Sequence, residues 1–444
     1  MVMKIATLIL EDYKKRGTRA NTNFDSYEYF GLNVIIDSIK RKLGYDVGYC
    51  SIKKANDFDV LLVSLTSVID VYNLVYTFSK HGIEAKEIEP KVIVGGQGVV
   101  NIKTYVEYGD YFVFGRGEDE VINIINSIEN NEQYQSSSVF NRQKSSFDDN
   151  YRMCQTKIYP YEVNEMREGM LGCPNKCFYC QYSFSREYHN QPNNKYQDTE
   201  YITGEEQTFD DLEIKDGRVY VSAIDGFTER LRETFNKNIT DKQIVEKLKT
   251  AQTADVNSRV SLKLYNICGY PTEDKKSYDK FIEMIQSADM KKEGNDVKLH
   301  ILLTPFSAEP LTPAQYLPMD LKTNYRKYFQ KKYVGQNGYV WKGNNITIYI
   351  MKYINTNYAL FQRALVNRGE ENDQGIIEAI VNNRKFQRLS TDEKMHNLRK
   401  QVDVDRFSKQ HKIGDSVPWD YIQSYIPRSK INKMAKKLHG KLKI

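Results

Sequence analysis

Along roughly the first 128 residues, hydrophobic positions alternate between short apolar runs and stretches with helical spacing. "KIATLIL" (4–10), "YDVGYCSI" (45–52), "FDVLLVSLTS" (58–67), "PKVIVGGQ" (90–97) and "YFVFGRGE" (111–118) read as strands. Between them, "YFGLNVIIDSIKRKLG", "VIDVYNLVYTFSKHG" and "DEVINIINSIENN" place apolar residues three and four apart, and the first two close on glycine. That order predicts an α/β fold with a doubly wound, mostly parallel sheet. In such sheets ligands sit beyond the carboxyl ends of the strands. Those ends carry Ser64 and Thr66 ("SLTS"), Gly95 and Gly96 ("GGQG"), and Gly115 and Glu118 ("GRGE"), and glycine there lets a ligand approach the backbone.

The pattern changes at 130–150, "NNEQYQSSSVFNRQKSSFDDN", which is polar and poor in aliphatics and reads as a linker or exposed loop. A second β/α series follows. "VYVSAID" (219–225), "RVSLKLYNICGYPTE" (259–273) and "DVKLHILLTPF" (296–306) are strands separated by helical stretches, with fewer units than an eight-fold barrel needs. From about 322 the chain is charged and mostly helical in spacing. The 182–217 stretch carries no clear period.

A chain of 444 residues supports two or three domains. Its hydrophobic content of 40% and charged content of 27% are those of a globular protein. No run approaches a membrane span, and "MVMKIATLILEDYKKRG" is charged too soon for a signal peptide, so a cytoplasmic protein with no membrane partner is expected. The net charge of +6 gathers in the tail, with seven Lys/Arg and no acid from Arg428 to Lys443; this is a solvated helix end or a phosphate-contacting patch.

Candidate chemistry concentrates in "MLGCPNKCFYCQYSF" (170–184), which holds three of the six cysteines at spacing C-x3-C-x2-C. Three thiolates on so short a loop suit a compact metal centre better than disulfides. Soft thiolates select iron–sulfur clusters or zinc. Zinc needs a fourth ligand, for which His189 lies nine residues past Cys180. That alternative describes a non-catalytic zinc-knuckle nucleic-acid-binding protein, with "YRKYFQKKYVGQNGYVWKGNN" (325–345) as its basic aromatic surface. The same stretch also reads as a core edge with solvated lysines. Cys50, Cys154 and Cys268 read as structural.

Cys173, Cys177 and Cys180, with Tyr179 before the last, resemble the signature of the radical S-adenosylmethionine enzymes. "VYVSAIDGFTERLRETFNKNIT" and "VSLKLYNICGYPTED" are similar to a subgroup with an N-terminal cobalamin-binding-like domain; "NRG" (367–369) and "VPWDYI" (417–422) resemble its C-terminal segment. The resemblance implies a [4Fe-4S] cluster on the three cysteines. S-adenosylmethionine bound at the open iron would be cleaved reductively to a 5′-deoxyadenosyl radical that attacks an unactivated carbon. Electrons would come from a flavodoxin or ferredoxin. The substrate would be a small molecule, a nucleotide or a nucleic-acid base, and methyl transfer is implied if cobalamin binds.

The same resemblance implies a layout: a cobalamin-binding-like domain at 1–130, a linker at 131–158, a partial radical S-adenosylmethionine barrel at 159–321 and a helical region at 322–444. Tyr179 would lie against adenine. Ser222 and Asp225, and Lys263 and Tyr265, would bind cofactor from strand ends facing the loop, and Arg186 would bind a carboxylate or phosphate. Two features depart from the subgroup. The cobalt-ligating D-x-H-x-x-G is missing, His81 reading as a helix-end residue, and only "TGEE" (203–206) stands for the segment that orients the S-adenosylmethionine amine.

Overall fold

The computed structural model describes residues 3–14, 17–18, 30–155, 162–163, 166–168, 170–190, 201–203, 219–256, 259–291, 294–350 and 356–444. The first sheet contains β1 (Ile5–Leu8), β2 (Val47–Cys50), β3 (Val60–Ser64), β4 (Lys91–Gly95), β5 (Tyr111–Val113) and β6 (Val139–Asn141), in the order β2-β1-β3-β4-β5-β6. All neighbours are parallel except β5 and β6. This is the flavodoxin-like doubly wound order, whose direction reverses between β1 and β3.

Strand alternation explains the apolar runs, because both faces are covered. Ile5, Leu62, Ile93 and Val113 join α1 (Phe30–Leu43) and α3 (Glu118–Glu129) in one core. Ala6, Leu61, Val63, Val92, Val94 and Phe112 face α2 (Asp70–Ser79) in a larger one. The polar stretch at 130–150, expected as a linker, contributes β6: Val139 and Phe140 are buried, and that strand closes the sheet edge. Two apolar residues in a row sufficed; the surrounding Ser, Gln and Asn masked them.

The second sheet contains β7 (Val219–Ala223), β8 (Val260–Cys268), β9 (Val297–Pro305), β10 (Trp341–Lys342) and β11 (Ile346–Ile350), in the order β7-β8-β9-β11-β10. All pairs are parallel except β10 with β11. Leu262, Leu264, Leu299, Ile301 and Ile348 bury one face against α5 (Asp241–Thr253), α6 (Lys276–Ser287) and α7 (Tyr325–Tyr333). The basic aromatic stretch therefore forms a helix and an edge strand, with Tyr325 and Phe329 in the core.

In α4 (Glu229–Thr234), Arg232 turns inward. It is fully buried, donating to the Ile239 and Gly226 carbonyls and pairing with Asp241. Thr228 caps the short helix Glu229–Thr234 by accepting from Leu231 N–H at 3.2 Å.

The C-terminal helices α8 (Asn357–Arg368), α9 (Gln374–Asn382), α10 (Thr391–Gln401) and α11 (Arg428–Leu442) share one core with the α2 face of the first sheet. Tyr72 donates to Gln362 O, and Asn101 donates to the carbonyls of Val366, Asn367 and Gly369. "NRG" and "VPWDYI" act here: Arg368 donates to the Lys409, Gln315 and Leu317 carbonyls, Trp419 donates to Gln315 Oε1, and the Tyr421 hydroxyl accepts from Ile102 N–H. The whole is a mixed α/β architecture of two largely parallel sheets and many helices. Among the described residues no helix is long and apolar enough to cross a membrane.

Candidate functional site

The cysteine loop starts and ends at a short antiparallel pair, Met170–Leu171 with His189–Asn190. Gly172 turns the chain with φ +70; a Cβ there would lie 2.6 Å from Glu187 O, so only glycine closes this neck. Within the loop the Lys176 amine donates to Ser183 O (2.6 Å) and Arg186 O (3.5 Å), tying off the one-turn helix Gln181–Ser185. Burial lowers the Lys176 pKa, and the neighbouring Cys173 and Cys180 oppose that drop.

Backbone bonds hold the loop over the second sheet. Phe178 N–H donates to Phe235 O and its carbonyl accepts from Ala314 N–H, both at 2.9 Å. The Asn236 amide donates to the carbonyls of Asn175 (2.6 Å) and Lys176 (3.2 Å). Cys177 is buried, Cys173 and Cys180 are half-buried, and none of the three is in a disulfide. Burial pushes the Cys177 thiol up to about 12; the Lys237 ammonium works against that shift and the Asp225 carboxylate adds to it.

Asp225 joins loop and sheet. It follows β7 in the left-handed region, φ +52, which an aspartate adopts only when its surroundings fix it. Tyr265 O accepts its N–H at 3.4 Å, its carbonyl accepts from Tyr270 OH at 2.9 Å, and its carboxylate accepts from Tyr179 OH at 2.7 Å. The Lys237 ammonium lies 3.5 Å from the same carboxylate oxygen. Burial first, then the Asp225 charge, holds the Tyr179 hydroxyl protonated well above the ordinary tyrosine range. The Tyr179 ring packs 6.2 Å from Phe235 and 6.3 Å from Tyr270.

The structure brings Cys177, Tyr179 and Asp225 together and places Lys237, Tyr270 and Asn236, which the sequence reading did not single out, beside them. "NK" at 236–237 lies in the quoted motif, so the signal was present. The Tyr179 hydroxyl donates to Asp225 Oδ2, the oxygen that also faces the Lys237 ammonium.

Ser222 is not part of this group. It pairs with Leu264 on the helix-covered face and is buried there, while Lys263 and Tyr265 stand on the opposite face, because successive residues of a strand point oppositely. The Arg186 guanidinium lies 4.5 Å above the Tyr182 ring. In "TGEE" only Thr203 belongs to the described residues.

At the first sheet, Ser64 and Gly95 are direct partners across β3 and β4, and Thr66 and Gly96 are exposed beside them. A Cβ on Gly95 would meet nothing within 4 Å, whereas Gly96 turns with φ +106 against Leu65 O. Thr66 Oγ1 donates to Asp70 at the start of α2. Gly115 and Glu118 serve the chain itself: a Cβ on Gly115 would lie 2.5 Å from Cys154 O, and Glu118 is buried against Arg116. His81 lies 2.5 Å from a Glu11 oxygen instead of facing this notch.

The donor set at the loop fits an iron–sulfur cluster. Among the described residues no three His, Cys, Asp or Glu side chains converge to hold a single ion, and His189 sits in the neck strand 3.5 Å from Glu187.

No family profile and no curated protein matches the chain. Among solved structures it is similar to the apo form of the cobalamin-dependent S-adenosylmethionine radical enzyme OxsB, with 10% identity and a TM-score of 0.30 over 99% of this chain and 56% of that one. The same enzyme with aqua-cobalamin and S-adenosylmethionine bound gives 10% identity and a TM-score of 0.30 over 87% of this chain and 56% of that one. The chain therefore spans 56% of the length of these structures. Superposition at that level does not establish a common fold.

Proposed function

We propose that this chain is a radical S-adenosylmethionine enzyme, with Cys173, Cys177 and Cys180 holding a [4Fe-4S] cluster. The observation that carries this reading is the Tyr179–Asp225 hydrogen bond of 2.7 Å, which docks the C-x3-C-x2-C loop on the carboxyl end of a parallel β/α sheet. When bound, the cluster supplies an electron from a flavodoxin or ferredoxin to S-adenosylmethionine, releasing methionine and a 5′-deoxyadenosyl radical that abstracts hydrogen from an unactivated carbon.

The chain's own residues position and desolvate. Lys237 and Asp225 form a buried charged pair beside Cys177, so the thiol loses its proton more readily next to the ammonium than burial alone would allow. Phe235, Tyr270 and Phe306 pack a wall behind the loop that keeps water from the site. Lys176 neutralises thiolate charge at Cys173 and Cys180.

Anaerobic reconstitution tests this assignment. The protein should take up about four irons per chain, and the triple variant Cys173→Ser, Cys177→Ser, Cys180→Ser should take up none. A colourless protein binding one zinc would support the zinc-knuckle alternative.

A further inference from the structure

Among the described residues no helix packs on one face of the second sheet, and that face carries lysines. At one level, Val221, Lys263, His300 and Tyr349 are direct partners across four strands. One step below on the same face, Lys298 pairs with Thr347, which pairs with Lys342. None of the five strands contains an Asp or Glu. Among the described residues, Lys263, Lys298 and Lys342 have no ion-pair partner.

A lysine cluster on a sheet face with no acidic partner among the described residues favours an anion there. Aromatic surface accompanies it. His300 and Tyr349 stack at 5.0 Å and 19°, and His300 Nδ1 is buried without a hydrogen-bond partner. Tyr265 and Val221 are 44% and 45% exposed on the same face. Burial and the two flanking lysines lower the His300 pKa, so the ring is neutral and able to stack on, or accept from, a bound group.

We propose that this face binds a nucleoside phosphate, with the phosphates on Lys263, Lys298 and Lys342 and the sugar and base extending past Tyr265 toward Asp225. The spacing suits a single nucleotide. Tyr265 lies two residues, about 7 Å, above Lys263, and Lys298 lies a similar step below. The Tyr265 carbonyl accepts the N–H groups of Ile224 and Asp225, so the upper end of the face reaches the cysteine loop. Only the placement of the reacting end beside Asp225 rests on the proposed radical chemistry; binding itself does not.

The test is calorimetric titration of the full-length protein, without cluster or S-adenosylmethionine, with each of the common ribonucleoside diphosphates and their nucleosides. At least one diphosphate should bind, with its nucleoside about tenfold weaker or more. Lys298→Glu and Lys263→Glu should each weaken it by about tenfold, Lys298→Arg should retain it, and Lys436→Glu on α11 should leave it unchanged. Excess S-adenosylmethionine should not displace the diphosphate. No binding by any diphosphate, equal binding by the nucleoside, indifference to Lys298→Glu or Lys263→Glu, or displacement by S-adenosylmethionine would each overturn the proposal. So would tighter binding of an oligonucleotide of about ten residues, which would assign the face to nucleic acid. Because the assay contains no cluster, its failure and failure of the radical assignment are separate results.

Discussion

Glu273 shows how much one buried group can impose. Its Oε2 accepts from Gly269 N–H, Tyr270 N–H and Tyr278 OH, yet burial dominates and pushes its pKa up to about 7. Its Oε1 is buried without a partner. The folded protein therefore holds a proton that the unfolded chain releases near the ordinary glutamate value. That contribution is complete below that value and falls as pH rises toward 7, by on the order of 2–3 kcal/mol. Urea titrations between pH 4.5 and 7 should show this slope, and Glu273→Gln should flatten it; an unchanged slope would remove Glu273 as its source. Tyr179→Phe is the companion test. Losing the hydroxyl leaves Asp225 with one fewer donor in a buried setting and should cost about 1–3 kcal/mol in chemical denaturation.

Single elements were legible in the sequence where one period ran long enough. The strand expected within 259–273 is β8 (Val260–Cys268), in which buried Val260, Leu262, Leu264 and Cys268 alternate with less buried positions. Asp225 was readable as the residue after a strand, but its partners Lys237 and Tyr270 come from separate turns, and a turn of mixed polarity does not say where it folds back. Arg232 is buried although arginine in a helix is usually solvated, and no local pattern announces this. Here its guanidinium ties the start of one helix to the next strand-to-helix turn through Gly226, Ile239 and Asp241. Arg232→Met removes a buried cation and strands Asp241, which is 47% exposed and can rehydrate. The expected cost is about 3 kcal/mol, read from the urea midpoint; a loss near zero would mean that these carbonyls are not held by the arginine.

At the scale of the whole molecule, the C-terminal helices share one apolar core with the first sheet: Phe361, Leu365 and Trp419 belong with Leu61, Val94 and Phe112. No local pattern announces such a contact, since helical spacing gives an apolar stripe without naming its partner. Amide exchange in β3, β4 and α8 should accordingly be lost in one cooperative step, and early exchange of α8 alone would contradict the shared core. Phe178, Phe184, Phe235, Tyr270 and Phe306 extend this core under the cysteine loop.

The most direct test of the site is chemical. Reconstituted protein, reduced anaerobically with S-adenosylmethionine present, should form 5′-deoxyadenosine and methionine in equal amounts, and Cys177→Ser should form neither. A fully loaded, reducible cluster that yields no 5′-deoxyadenosine, or product formation that survives Cys177→Ser, would contradict the account.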